Sequence, residues 1–175
     1  ANIVDTFLGG TITALINGTS HQNLIIYGPK RPVNSVKRLV ITVPQMAELE
    51  IGFDLWFDRV KNIASQLSIP IVFYANKTTT EALKKQCEIH SSLNVSFREL
   101  ASWEDFLIIS KDIKHSDTLI VITARKATVS YNNLFEKIPY YLNKYFADNN
   151  FLLIYPQQTA PDGTDNDIYN PLKIS

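Results

Sequence analysis

The sequence predicts an α/β domain: a doubly wound, five-stranded parallel sheet with an extra antiparallel edge strand. Three observations predict it. Short apolar runs alternate with longer segments of helical period, the pattern of parallel strands joined by right-handed crossovers. The runs are apolar on both alternating positions, as strands covered on both faces must be. The last helix-and-strand pair also has a counterpart near the start. Phe7-Leu8-Gly9-Gly10-Thr11-Ile12-Thr13-Ala14-Leu15-Ile16 leads into Leu24-Ile25-Ile26-Tyr27, as Leu134-Phe135-Glu136-Lys137-Ile138 leads through Tyr141-Leu142 into Phe151-Leu152-Leu153-Ile154-Tyr155. A repeat on that scale indicates a second unit of the same kind.

Strand one is 39–43, a β-branched run stopped by Pro44. From Ala47 to Leu67 the period changes. Leu49, Phe53, Trp56, Phe57, Val60, Ile63, Ala64 and Leu67 fall at three- and four-residue steps, which makes one helix face. Strand two is 69–74, with Pro70 tolerable near its start. Thr78 with Glu81 is a capping-box pattern that opens a helix to His90. Strand three is 95–97. Ser102 with Asp105 offers a similar cap for a helix to Ile113. Strand four is 119–123, and a helix over 131–146 leads to strand five, 151–155. Pro139 must lie in the first turn or two of that helix or bend it.

These elements divide the chain into four parts. Residues 1–28 are the last helix and strand of a preceding domain, 29–36 a stiff Pro-rich linker, 37–156 one complete domain, and 157–175 a polar tail with Ile168-Tyr169 as its packing point. The leftover strand 24–27 is expected to pair antiparallel with 152–155, covering an exposed sheet edge.

Composition narrows the function. A net charge of zero argues against a general nucleic-acid binder. The single cysteine, Cys87, has no internal disulfide partner and fits a reducing compartment. On its predicted helix it reads as a packed thiol. Apolar runs such as Leu119-Ile120-Val121-Ile122 are too short to span a bilayer, and the start lacks the basic and apolar regions of a signal peptide. The chain is therefore expected to be soluble. His21, His90 and His115 show no ligand spacing with one another or with Cys87, so no metal site is expected. Nucleophile-elbow, Walker and zinc-protease motifs are absent from the sequence.

The order of elements resembles the universal stress protein family, whose sheet order is 3-2-1-4-5. The segment from Phe7 to Thr13, with Leu15 and 24–27, looks like that family's last helix and strand. Gly10-Thr11 occupies the position that closes its ATP-binding signature. In the complete domain the signature, Gly, two residues, Gly, about nine residues, then Gly-Ser or Gly-Thr, should follow strand four. The sequence there is Thr123-Ala124-Arg125-Lys126-Ala127-Thr128-Val129-Ser130-Tyr131, which has no glycine, and Lys137-Ile138 stand at the closing pair. Pro44-Gln45 stand where the family's acidic residue follows strand one. Within the family the chain looks most like the cytoplasmic C-terminal tail of a bacterial cation/proton (sodium/hydrogen) antiporter. The Arg125-Lys126 pair, the Ser130-Tyr131 pair and the Pro-rich link into Val36-Lys37-Arg38-Leu39-Val40 carry that likeness.

The resemblance implies a site at the carboxyl ends of strands one and four, where the strand order reverses. Val43-Pro44-Gln45 would form one wall, Ala124-Arg125-Lys126 the other, with Asn76 at the rim and Ser130 beyond it. Two cations suit an anion such as the phosphates of an adenine nucleotide. Without glycines a tight backbone cradle is not expected, which leaves capture by side chains. The alternative at the same residues is solvated loop cations, or contacts to a carboxylate of a partner domain. The implied function is a non-catalytic regulatory domain at the cytoplasmic face of the inner membrane. Its partners would be the membrane transport domain of the same chain and a second copy bound through the sheet edge. The alternative is a free-standing tandem stress protein with a degenerate ATP site. An adenylylating enzyme of this fold needs a phosphate cradle near strand one, and Val43-Pro44-Gln45-Met46-Ala47 offers no Gly, Ser or His for it.

Overall fold

The computed structural model describes residues 24–89 and 93–157. It is α/β, with a six-stranded mixed sheet. The elements are β1 (Leu24–Gly28), β2 (Arg38–Thr42), α1 (Phe53–Leu67), β3 (Ile71–Ala75), α2 (Lys77–Ile89), β4 (Val95–Glu99), α3 (Ile109–Asp112), β5 (Asp117–Ile122), α4 (Ile138–Tyr145) and β6 (Asn150–Tyr155). Their order in the sheet is β1-β6-β5-β2-β3-β4. All neighbours are parallel except β1, which pairs antiparallel with β6 from Leu24↔Tyr155 to Gly28↔Phe151. The expected edge pairing of 24–27 with 152–155 is therefore present in that register.

The sheet separates two cores. Leu39, Ile41, Phe73, Ile120, Ile122 and Ile154 face α1 and α2, where Trp56, Phe57, Val60 and Leu83 pack. Val40, Val72, Leu119, Val121 and Leu153 face α3 and α4, where Phe106, Ile109, Ile138, Leu142 and Phe146 pack. Alternate residues of one strand thus serve opposite cores, which is why the strands read as unbroken apolar runs. Arg38 and Asp117 begin adjacent strands as register partners. The guanidinium donates to both Asp117 oxygens, at 3.1 and 2.7 Å. This hydrogen-bonded pairing raises the Arg38 pKa against the opposing effect of its burial.

Several expected helices are shorter. The face expected over 47–67 is a 3₁₀ turn, Ala47–Leu49, followed by α1. Glu50 is extended between them, with ψ 144°, and Met46 before the turn has a left-handed φ of 64°. The capping box expected at Thr78 is not used. Asn76 is the cap, its Oδ1 accepting the Thr79 N–H at 2.9 Å, and Glu81 pairs instead with Lys84 at 3.6 Å. Ser102 caps as expected, accepting the Glu104 N–H at 3.2 Å. The turns that follow are 3₁₀ over Trp103–Ile108 before α3. In a 3₁₀ turn residues three apart eclipse one another. Trp103 and Phe106 use that spacing to stack at 5.3 Å. The helix expected over 131–146 likewise opens as a 3₁₀ turn, Asn133–Lys137, capped by Asn132 Oδ1 on the Leu134 N–H at 2.9 Å. Pro139 then falls in the first turn of α4, where its missing N–H costs nothing.

The linker is held in place by one side chain. Asn150 Oδ1 accepts the N–H groups of Lys30 and Arg31 at 2.6 and 2.7 Å, and its Nδ2 donates to Arg31 O at 3.0 Å. Next to it, the Phe151 ring covers Gly28, in the space a Cβ there would need. The helix expected over 7–16, Gly9, Gly10, His21, His90 and the tail beyond 157 lie outside the described residues.

Candidate functional site

The chain winds from β2 through β3 to β4 on one side of the sheet, then crosses to β5 on the other side of β2. The crevice of such a sheet opens at the carboxyl ends of β2 and β5. Its walls are the loop after β2, residues 43–52, and the loop after β5, residues 123–132.

The two loops are joined across the crevice by side chains. Glu50 Oε1 accepts both the Ser130 N–H, at 3.1 Å, and the Ser130 hydroxyl, at 2.6 Å. Ser130 is buried, so this carboxylate meets donors that water cannot serve. Gln45 reaches the other way, its Nε2 donating to Ala101 O at 2.8 Å in the loop after β4. Pro44 O accepts the Ala47 N–H at 3.3 Å, closing the turn that leads to Glu48. Glu48 Oε2 accepts the Thr79 hydroxyl at 2.8 Å, which sets a carboxylate beside the first turn of α2, where the helix dipole favours negative charge. Asn76 serves the same turn as its cap.

The two cations differ. Arg125 is buried, and its Nε donates to Pro156 O at 3.4 Å. Desolvation pulls its pKa below the usual arginine value, with nearby Tyr155 acting in the opposite direction. Lys126 is exposed and pairs with Glu136 at 2.9 Å. That hydrogen bond raises the lysine pKa and holds Glu136 below the usual carboxylate range, against partial desolvation and with help from the Tyr131 hydroxyl at 3.1 Å. Between them the backbone turns sharply. Ala127 has a left-handed φ of 67°, and the Thr128 hydroxyl donates to Arg125 O at 2.7 Å.

On the α3–α4 face, Thr42 Oγ1, at the end of β2, and Trp103 Nε1 are buried and find no hydrogen-bond partner among the described residues. Cys87 is half-buried, and desolvation raises its thiol pKa, which disfavours the reactive thiolate. Among the described residues no three His, Cys, Asp or Glu side chains gather as a metal ion requires, and no helix is long and apolar enough to cross a membrane.

The structure thus puts Pro44, Gln45, Arg125, Lys126 and Ser130 on the two loops of the crevice and Asn76 at the start of α2. It adds Glu48 and Glu50, for which the apolar spacing of 47–67 predicts helix. The only sequence signal for them was a pair of acids just after a strand-ending proline. No known protein-family model matches the chain, and no curated protein matches it in sequence.

Proposed function

We propose that this chain is a non-catalytic regulatory domain of the universal stress protein type, from the cytoplasmic tail of a monovalent cation/proton antiporter. The observation that carries the proposal is the tie between the loops after β2 and β5, made by Glu50 and Ser130 at the point where the strand order reverses. A phosphate cradle there relies on glycine backbone, and this loop instead holds Ala127 at a φ suited to glycine. Ala124 and Ala127 have two residues between them, where the family pattern has Gly, two residues, Gly. The strand order supports the same kinship: counted from β2, the five parallel strands lie 3-2-1-4-5. In this reading Glu50–Ser130 holds the two loops in one arrangement, and Lys126–Glu136 ties the loop after β5 to the 3₁₀ turn that follows it. An anion such as an adenine nucleotide, or a carboxylate of the membrane domain, reaches Lys126 by competing with Glu136, and reaches the buried Arg125 only if its contact with Pro156 O opens. A ligand biases transport only if it binds the tied and untied arrangements unequally.

The test is a blot of fractionated source cells with an antibody to this chain. A band much larger than 175 residues in the membrane fraction supports the antiporter reading. A modest band in the soluble fraction rejects it in favour of a free-standing tandem stress protein. For the ligand, ATP is titrated in a thermal-shift assay against the wild type and an Arg125→Ala, Lys126→Ala double variant. A shift in the wild type that the double variant loses supports the pair as the site. An equal shift in both removes the pair from it.

A further inference from the structure

A groove of about 330 Å³ lies between α4 and the edge of the sheet. Phe151 and Leu153 of β6 line it from the sheet, on the α3–α4 face. Leu142 and Asn143 line it from α4, with Ala147 just beyond the helix. The chain leaving β1 closes it with Pro29 and Lys30. None of its lining residues belongs to the loops 43–52 and 123–132, so the groove is separate from the crevice.

Small residues leave the groove open. Gly28 also lines it, and the Phe151 ring lies in the space that a Cβ there would need. Ala147 is exposed and brings a single methyl group to the opposite side. Both sides are held in place. Asn150 Oδ1 accepts the Lys30 and Arg31 N–H groups at 2.6 and 2.7 Å, which fixes the backbone after β1. Leu142 and Leu153 are buried in the same core and fix α4 against β6. A cavity formed before its ligand arrives loses less free energy in ordering on binding.

The chemistry of the lining is one-sided. Apart from Lys30 and Asn143, every lining residue is glycine, proline or a hydrocarbon side chain. Lys30 is the one ionisable residue of the lining, and no carboxylate of the described residues forms an ion pair with it. Ligand cavities have this character: about 300–1,000 Å³, mostly apolar, with a few polar groups that orient the ligand.

We propose that this groove binds a small monocarboxylate with an apolar body. The hydrocarbon lies on Phe151 and Leu153, the carboxylate meets Lys30, and the Asn143 amide donates to the same head group. One positive charge and no negative one select an anion, and the apolar lining selects a hydrocarbon body over a bare inorganic anion. A ligand so placed touches both α4 and the segment after β1, and so fastens that edge of the sheet to the helix. The proposal stands independently of the regulatory reading above, since it concerns another site.

The test is a titration of the full chain with octanoate, followed by amide chemical shifts. 1-Octanol serves as the uncharged match and acetate as the anion without a body. Octanoate should bind saturably and shift amides in 28–31, 139–147 and 150–153. Lys30→Gln should weaken octanoate about tenfold and leave octanol unchanged. Ala147→Trp, at an exposed position, should fill the groove and abolish binding of both, while the amide spectrum without ligand shows the fold intact. No saturable binding of octanoate to the wild type overturns the proposal. So do shifts confined to 43–52 and 123–132, which would assign the anion to the crevice, and unchanged affinity in Ala147→Trp. Octanol or acetate binding the wild type as tightly as octanoate overturns the ligand class.

Discussion

Glu50 Oε1 receives two donors from Ser130, the backbone N–H at 3.1 Å and the hydroxyl at 2.6 Å, and so ties together the two loops at the switch point of the sheet. A single carboxylate thereby satisfies a buried serine and fixes the separation of the crevice walls. Hydrogen bonds to a charged acceptor are worth more than neutral ones, and an orphaned buried donor costs more than a lost partner.

Ser130→Ala removes one donor and leaves Glu50 the backbone N–H, so it should cost about 1–2 kcal/mol. Glu50→Ala strands both buried Ser130 donors and should cost about 2–3 kcal/mol. Glu50→Gln keeps an acceptor and should fall between the wild type and Glu50→Ala. Urea unfolding of the three variants checks the order. Equal costs for Ser130→Ala and Glu50→Ala would show that the backbone N–H of Ser130 finds another acceptor.

Ala127 sits at φ 67°, a region that costs a residue with a Cβ about 1–2 kcal/mol. Glycine relieves that strain but gives back about 0.5–1 kcal/mol of unfolded-state entropy. Ala127→Gly should therefore raise stability slightly, by up to about 1 kcal/mol. Ala127→Val should lower it by more than that, since a β-branched side chain tolerates this region worst. Paired thermal melts decide the sign. A glycine variant less stable than the wild type would mean that the turn is not strained in solution.

The linker clamp gives a third expectation. Asn150→Ala leaves the N–H groups of Lys30 and Arg31 and the Arg31 carbonyl without their partner, all part-buried. The cost should be about 2–3 kcal/mol, and it should fall on the edge of the sheet. Proteolysis should then cut between β1 and β2 well before it reaches β5. Asn150→Asp keeps the acceptor but sets a carboxylate against a carbonyl, so its damage should be smaller and should ease as the pH falls. Gly28→Val adds a side chain into the Phe151 ring and should loosen the same edge without touching the clamp.

The sheet was legible in the sequence and the crevice was not, for a physical reason. Strands such as β5 contribute to both cores, so every residue of Leu119-Ile120-Val121-Ile122 is apolar and the pattern is local. Even the antiparallel pairing of β1 with β6 followed from a repeat that can be seen without coordinates. The loops were harder. Leu49 continues the three- and four-residue spacing of α1 and therefore read as helix, but it is exposed and lies in a 3₁₀ turn before the helix begins. On a helix over 47–52, Glu48 and Glu50 would be surface acids. Their partners, Thr79 and Ser130, are 31 and 80 residues away, and nothing in the local sequence reports such contacts. The place of Asn76 just after β3 suggests part of a rim, and its short amide serves to cap α2.

Tyr155 gives the expectation in pH. The side chain is 5% exposed at the end of β6, and desolvation pushes its pKa up from the ordinary value of 10.0 to about 12, with Arg125 pulling modestly the other way and Tyr131 adding to the rise. Below pH 10 the phenol is protonated in both folded and unfolded chains, and its pKa shift has no effect on stability. Between pH 10 and about 12 the unfolded chain releases this proton while the folded one retains it. The unfolded state then binds fewer protons, so stability falls as pH rises through that window, by about 2–3 kcal/mol in all. Tyr155→Phe has no proton to lose and should flatten most of that fall. Some slope should remain, because burial raises the Tyr74 and Tyr131 phenols as well. Urea midpoints measured from pH 8 to 11.5 for both proteins test this directly. The two curves should run parallel below pH 10 and converge above it, with the wild type losing ground. Parallel curves throughout would mean that Tyr155 ionises in the folded protein as readily as in the unfolded chain, and that the end of β6 is open to water.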